Sequence, residues 1–173
     1  MTHEPVRRAH IRITGSRSRR AFMLGGGLTV LAAMAPGARA AATYPLRLSD
    51  AEWRRRLTPE QYDVLRKSAT EAPFSSPLNN EHRAGIFNCA GCGRPLFDAK
   101  TKFDSGTGWP SFWKPLDGAV GEEADSTFGM TRTAVHCARC GGHLGHVFSD
   151  GPPPTGLRYC MNGLALAFQP AAT

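Results

Sequence analysis

The stretch CARCGGHLGHVFSDGP, Cys137–Pro152, decides how the rest of the chain is read. It opens with a C-x-x-C pair, continues through two glycines, and carries two histidines three residues apart. A second pair, CAGCG at Cys89–Gly93, lies upstream. Each pair can sit on a tight turn that aims both sulfurs at one point, and two such turns offer the four thiolates that Zn²⁺ accepts in a tetrahedron. Gly93 and Gly141 follow the second cysteine of each pair, where such a turn needs a positive φ. Cys89, Cys92, Cys137 and Cys140 are therefore the candidate ligands of one zinc ion. Four ligands leave no open position, so the ion is structural. Forty-four residues separate Cys92 from Cys137, so the metal pins distant parts of a larger fold. Two disulfides or a redox C-x-x-C are the competing reading, favoured in an oxidising compartment.

Gly and Pro punctuate the chain every eight to twelve residues after Pro73. GIFNC, PLFDA, TAVHC, HVF and LALAF read as short strands between turns. The acidic run GEEAD, Gly121–Asp125, reads as a solvated loop. Upstream, Ser49 with Glu52 and Thr58 with Gln61 are capping-box patterns, and Pro59 suits a first helical position. The expected class is mainly β, a β-rich α+β domain with antiparallel barrel-like sheets, a four-cysteine zinc site and short N-terminal helices. The domain is placed at residues 41–173, with helices at about 48–70 and a β core at about 85–169.

The first forty residues read differently. Six arginines precede a short apolar run, Ala21–Ala35, and Ala38–Ala40 supplies small residues for a peptidase. Charged, apolar and small-residue regions in that order make a secretory leader. Its apolar run is shorter than the roughly 20 residues that span a bilayer, so no stable membrane anchor is expected. Arg19 and Arg20 before Phe22 resemble a twin-arginine signal, which predicts passage through the twin-arginine translocase, cleavage near Ala41 and a periplasmic destination. The leader holds seven of the 21 basic and one of the 14 acidic residues, leaving 14 against 13 for the remainder. No retained basic stripe speaks for nucleic acid.

Cys160 is the fifth cysteine. In a strand, LRYCMN puts Arg158, Cys160 and Asn162 on one face and Tyr159 and Met161 on the other. A nearby arginine favours thiolate over thiol, and Asn162 could hydrogen-bond a bound group. The competing reading is a buried structural cysteine. His143 and His146 are candidate acid–base partners. Three apart, they fit one side of a tight loop but not one strand face. Further metal ligands or loop histidines are the alternatives. Asp150 could orient one of them. SGTGWPSFW, Ser105–Trp113, gathers Trp109, Phe112 and Trp113 behind two glycines and reads as a pocket wall, against a core role for the tryptophan.

CAGCG, KFDSGTGWPSFW, CARCGGHLGHVFSDGP, PTGLRYCMN and LAF occur in this order, with LTPEQYDVLR and PFSSPLNNEH upstream. Together they resemble the type-B methionine sulfoxide reductases over residues 48–169. The resemblance implies a barrel-like β domain, structural zinc on the four paired cysteines, and reduction of the R epimer of methionine sulfoxide in oxidised proteins. It implies Cys160 as nucleophile, His143 and His146 at the sulfoxide oxygen, and Asp150, Arg158 and Asn162 in the polar shell. Trp109, with Phe112, would bind the substrate. Many members carry a resolving cysteine where this chain has Thr107, so a sulfenic acid on Cys160 is expected to be reduced by an external thiol, thioredoxin-like or other. Gly163 and Leu164 stand where serines are common, a change expected to loosen or reshape that edge. A monomer repairing exported proteins completes the expectation.

Overall fold

The computed structural model describes residues 43–129 and 131–172. The leader, and with it the expected export signal and cleavage site, lies outside the described residues. Two helices come first, α1 (Asp50–Arg56) and α2 (Pro59–Lys67). Both capping boxes form. The Ser49 hydroxyl accepts from the Glu52 amide while the Glu52 carboxylate accepts from the Ser49 amide, and Thr58 and Gln61 repeat the exchange. The helices are separate because Thr58 precedes Pro59 and must be extended. Trp53, Tyr62, Val64 and Leu65 turn inward, and no described helix is long and apolar enough to cross a membrane.

Among the described residues nine strands follow: β1 (Gly85–Cys89), β2 (Pro95–Asp98), β3 (Lys102–Phe103), β4 (Ser111–Phe112), β5 (Val120–Asp125), β6 (Arg132–Cys137), β7 (His143–Phe148), β8 (Arg158–Met161) and β9 (Leu166–Pro170). All pairings are antiparallel. They make a three-stranded sheet, β2-β1-β9, and a six-stranded one, β3-β4-β8-β7-β6-β5. Neither closes into a barrel. The core lies between them, where Phe97 stacks on Phe112 at 4.4 Å and Phe87 meets Phe112 edge-on at 4.9 Å. All three rings are fully buried, each stabilising the fold by about 1.5–3 kcal/mol.

Three local expectations change. GEEAD is not a loop but most of β5, held to β6 along six residue pairs. LALAF is split: Leu164 and Ala165 lie in a short 3-10 turn and only Leu166 onward is strand. Finally, the edge at Gly163 is clasped, not loosened. The buried Glu71 carboxylate accepts from the amides of Gly163 and Leu164. A Cβ on Gly163 would sit 1.9 Å from the Ser76 hydroxyl oxygen, a space that only glycine leaves free.

Candidate active site and metal centre

The metal centre is built from two matching turns. Cys89 ends β1 and Cys137 ends β6. In each turn the glycine after the second cysteine, Gly93 or Gly141, takes a φ near +70° and donates its amide to the first cysteine's carbonyl. The four sulfurs lie within 4.8 Å of one another, with Cys89 to Cys140 at 3.8 Å and Cys92 to Cys137 at 3.6 Å. Zinc at about 2.3 Å from each sulfur sets tetrahedral edges of about 3.8 Å, so the donor set and spacing fit a metal ion such as zinc. The crowded sulfurs already polarise one another: thiols of Cys140 and Cys89 donating to Cys137 hold it far below the usual thiol range. The helices brace the two turns. Arg66 donates to the Cys140 carbonyl, Arg56 to that of Gly91, and Leu65 packs beside Gly142. Competing disulfides are not formed; all five cysteines are free.

The second site is a row across the large sheet. Strand register sets Ala134, His146, Cys160 and Ser111 directly opposite one another on β6, β7, β8 and β4. Directly opposed residues share a face, so Cys160 lies between a histidine and a serine. A cavity of about 120 Å³ opens over this row, lined by Cys160, His146, Trp109, Phe148, Asn162, Thr70, Arg132 and Gly145. Gly145 is required by close approach, since a Cβ there would lie 2.1 Å from the Cys160 carbonyl oxygen.

Both histidines are on β7, and they do share a side, contrary to the strand-parity expectation. The ladder steps from Val135↔Gly145 to His136↔His143, leaving Leu144 as one extra residue. Such a bulge reverses parity, and the two rings come to 5.3 Å. His146 reaches the Cys160 cavity. His143 is 3% exposed, lies behind it toward His136, and among the described residues finds no hydrogen-bond partner for either ring nitrogen. Burial pushes its pKa down to about 4, so it is neutral near pH 7.

Asp150 does not orient a histidine. It pairs with Arg158, both oxygens accepting from the guanidinium at 2.8–2.9 Å, while Arg158 stacks on Phe148 at 4.4 Å. The partner of His146 is Asp125, which sequence reasoning passed over as part of a solvated loop. Asp125 Oδ2 accepts from His146 Nε2 at 2.9 Å and from Arg132 Nη2, and Oδ1 accepts from the Thr127 hydroxyl and amide. The hydroxyl and amide of Thr127, then His146, hold this carboxyl well below the usual range. A carboxylate only accepts, so Nε2 of His146 carries a proton and Nδ1 is its free nitrogen. Only the pairing of β5 with β6 brings Asp125 here; no local pattern announces it.

Phe112 is not in the pocket wall. Ser111 faces Cys160, so its neighbour Phe112 must face the core beside Tyr159. Trp109 does line the cavity, its indole N–H donating to the Glu71 carbonyl at 3.1 Å. Asn162 is a clamp as well as a lining residue: Oδ1 accepts from the Glu71 amide and Nδ2 donates to the Leu144 carbonyl. Thr107 Oγ1 lies 3.8 Å from Cys160 Sγ and joins Ser105 and Ser111 in a chain of hydroxyls. The expected arginine-favoured thiolate is not the resting state. Burial pushes the Cys160 thiol up, outweighing Thr107, Arg158 and Ser111, which pull it down.

A β domain with a closed four-thiol centre and a separate, partly buried cysteine among histidine, indole and hydroxyl groups is a thiol-chemistry enzyme site. The SelR domain family matches residues 57–170, and the chain belongs to it. Among curated relatives, the peptide methionine sulfoxide reductase MsrB of Agrobacterium fabrum is 59% identical over 123 residues, 70% of this chain and 91% of its own length. Those of Pseudomonas putida and Leptospira interrogans are 59% and 52% identical, over 69% and 73% of this chain and 92% and 97% of theirs.

Proposed function

We propose that this chain, an enzyme of the peptide-methionine (R)-S-oxide reductase class, restores methionine from its R-sulfoxide in proteins by attack of Cys160. The observation that carries the reading is the Cys160 cavity, where one thiol, one histidine and an indole wall converge on a space the size of a methionine sulfoxide head. Trp109 and Phe148 receive the S-methyl group. As the sulfoxide S–O bond breaks, an S–O bond forms at Cys160. The methionine sulfur gains two electrons and the cysteine sulfur loses two, becoming a sulfenic acid. The thiol proton ends on the transferred oxygen, so no net proton is consumed. That suits a cysteine that rests as a thiol. His146, its Nε2–H held by Asp125, takes the thiol proton at Nδ1 and passes it to the departing oxygen.

Thr107 cannot resolve the sulfenic acid, and the other four cysteines belong to the metal centre. An external thiol therefore attacks Cys160, releasing water and leaving a mixed disulfide. A second thiol then frees Cys160, as a thioredoxin-like dithiol would do. Zinc, held by Cys89, Cys92, Cys137 and Cys140, would supply fold stability and no chemistry. Its place in the proposal rests on the sulfur spacing. Export by the twin-arginine route, cleavage near Ala41, and repair of periplasmic proteins by a monomer rest on the leader's composition. Lysine at both Arg19 and Arg20 should keep the chain in the cytoplasm, and continued export would remove that part.

The deciding test is Cys160→Ser assayed on resolved sulfoxide epimers. Wild type should reduce the R epimer alone, and the variant neither, while keeping bound zinc and the native melt. Reduction by the variant would end the proposal.

A further inference from the structure

Among the described residues, Phe74 is the one large hydrophobic side chain left exposed, at 72%. It is also one of two non-glycine residues with a left-handed backbone, φ 63°; the other, Ser68, is the C-cap of α2. A water-exposed ring on a strained backbone is unfavourable twice over and persists only if its surroundings hold it. Here they do. The Phe74 amide donates to the Gly108 carbonyl at 2.7 Å, and the ring rests on Gly108, where a Cβ would lie 2.9 Å from it. The loop that carries Trp109 thus holds Phe74 out toward solvent.

Trp109 borders two cavities. One is the Cys160 cavity; the other, of about 160 Å³, is also lined by Phe74, Gly108, Asn80, His82 and Asp104. The Asn80 and His82 side chains make no hydrogen bond among the described residues and are free to serve a ligand. We propose that this second cavity seats the residue next to the oxidised methionine in a protein substrate. Its apolar side chain lies against Phe74, and the flanking peptide group bonds to Asn80 and His82. The inference rests on the reading that the Cys160 cavity takes the sulfoxide. An extended peptide sends successive side chains in opposite directions, so neighbouring residues can enter the two cavities that share Trp109. The second cavity does not contain Cys160, which argues for a substrate segment and against the reducing thiol, and its size admits one side chain.

The test compares three R-sulfoxide substrates: the doubly capped amino acid, and the same unit with phenylalanine before or after it. Wild type and Phe74→Gly are assayed; glycine removes the ring and accepts the φ of 63° without strain. In wild type one phenylalanine peptide should exceed the capped amino acid in kcat/KM by roughly three- to tenfold, the range of an aromatic contact. In Phe74→Gly that ratio should fall to about one. A ratio that survives the substitution, a fall equal for all three substrates, or no preference in wild type would each overturn the inference. Failure of wild type to reduce any of the three would instead defeat the reading of the Cys160 cavity.

Discussion

Glu71 ties together the parts of the site that come from different regions of the chain, and Glu71→Gln should release them. Its buried carboxylate accepts from the amides of Gly163 and Leu164, its own amide donates to Asn162, and its carbonyl holds the Trp109 indole. Hydrogen bonds to a charged acceptor contribute about 1.5–3 kcal/mol each. Glutamine keeps one acceptor oxygen, uncharged, and turns an NH₂ group toward the other amide. One charge-assisted bond is lost, the second is weakened and a buried N–H is left unpaired, for a total of about 2–4 kcal/mol. A domain of this size has about 5–15 kcal/mol in all, so the zinc-replete melt should fall by roughly 10 °C. Scanning calorimetry measures this directly. Because the Ala69–Pro73 segment also positions Trp109 and Asn162, KM for the sulfoxide should rise in conditions where the variant is still folded. A melt within about 2 °C of wild type, well inside the 10 °C expected, would refute the clasp.

Asp125→Asn should lower kcat roughly tenfold to a hundredfold, more than it changes KM, because it releases His146 from its fixed tautomer while Trp109 and Phe148 stay in place. The pH–rate profile should lose its acid-side limb or move it. Thr107→Cys should form a disulfide with Cys160 after one turnover, since the side chains already approach to 3.8 Å; mass spectrometry of the quenched enzyme reads it. Iodoacetamide labelling of Cys160 in zinc-loaded enzyme should be slow at pH 7 and reach half its maximal rate above about pH 8.5, where an ordinary thiol is half ionised, because burial raises this thiol. The folded chain then holds that proton more tightly than the unfolded chain, so stability declines as pH climbs through this range. Stripping the metal with a chelator should abolish the cooperative melt and be reversed by zinc, as expected of a site whose binding energy is folding energy.

What the sequence made legible was local. The two C-x-x-C-G repeats predict their own turn geometry, down to the positive φ of Gly93 and Gly141. The capping boxes at Ser49 and Thr58 predict where the helices start. Alternation around Cys160 places Tyr159 and Met161 in the core and Arg158 beside the thiol. The rest depended on pairing. A single extra residue at Leu144 reverses the parity of β7, and no pattern of His-x-x-His shows a bulge. Asp125 reaches His146 from 21 residues away through the β5–β6 ladder. Phe112 follows from Ser111 only once Ser111 is known to oppose Cys160. The Cys160 thiol could not be judged from Arg158 alone, because its burial arises from the tertiary fold.

The central claim is that Cys160 alone takes the sulfoxide oxygen and then waits for an outside thiol. Intact-mass and peptide mass spectrometry after a single turnover, with no reductant present and dimedone added, tests it most directly. One dimedone adduct is expected, on Cys160, with one methionine formed per enzyme and all four metal-centre cysteines unchanged. A disulfide between Cys160 and any of Cys89, Cys92, Cys137 or Cys140, or turnover that leaves Cys160 unoxidised, would contradict it.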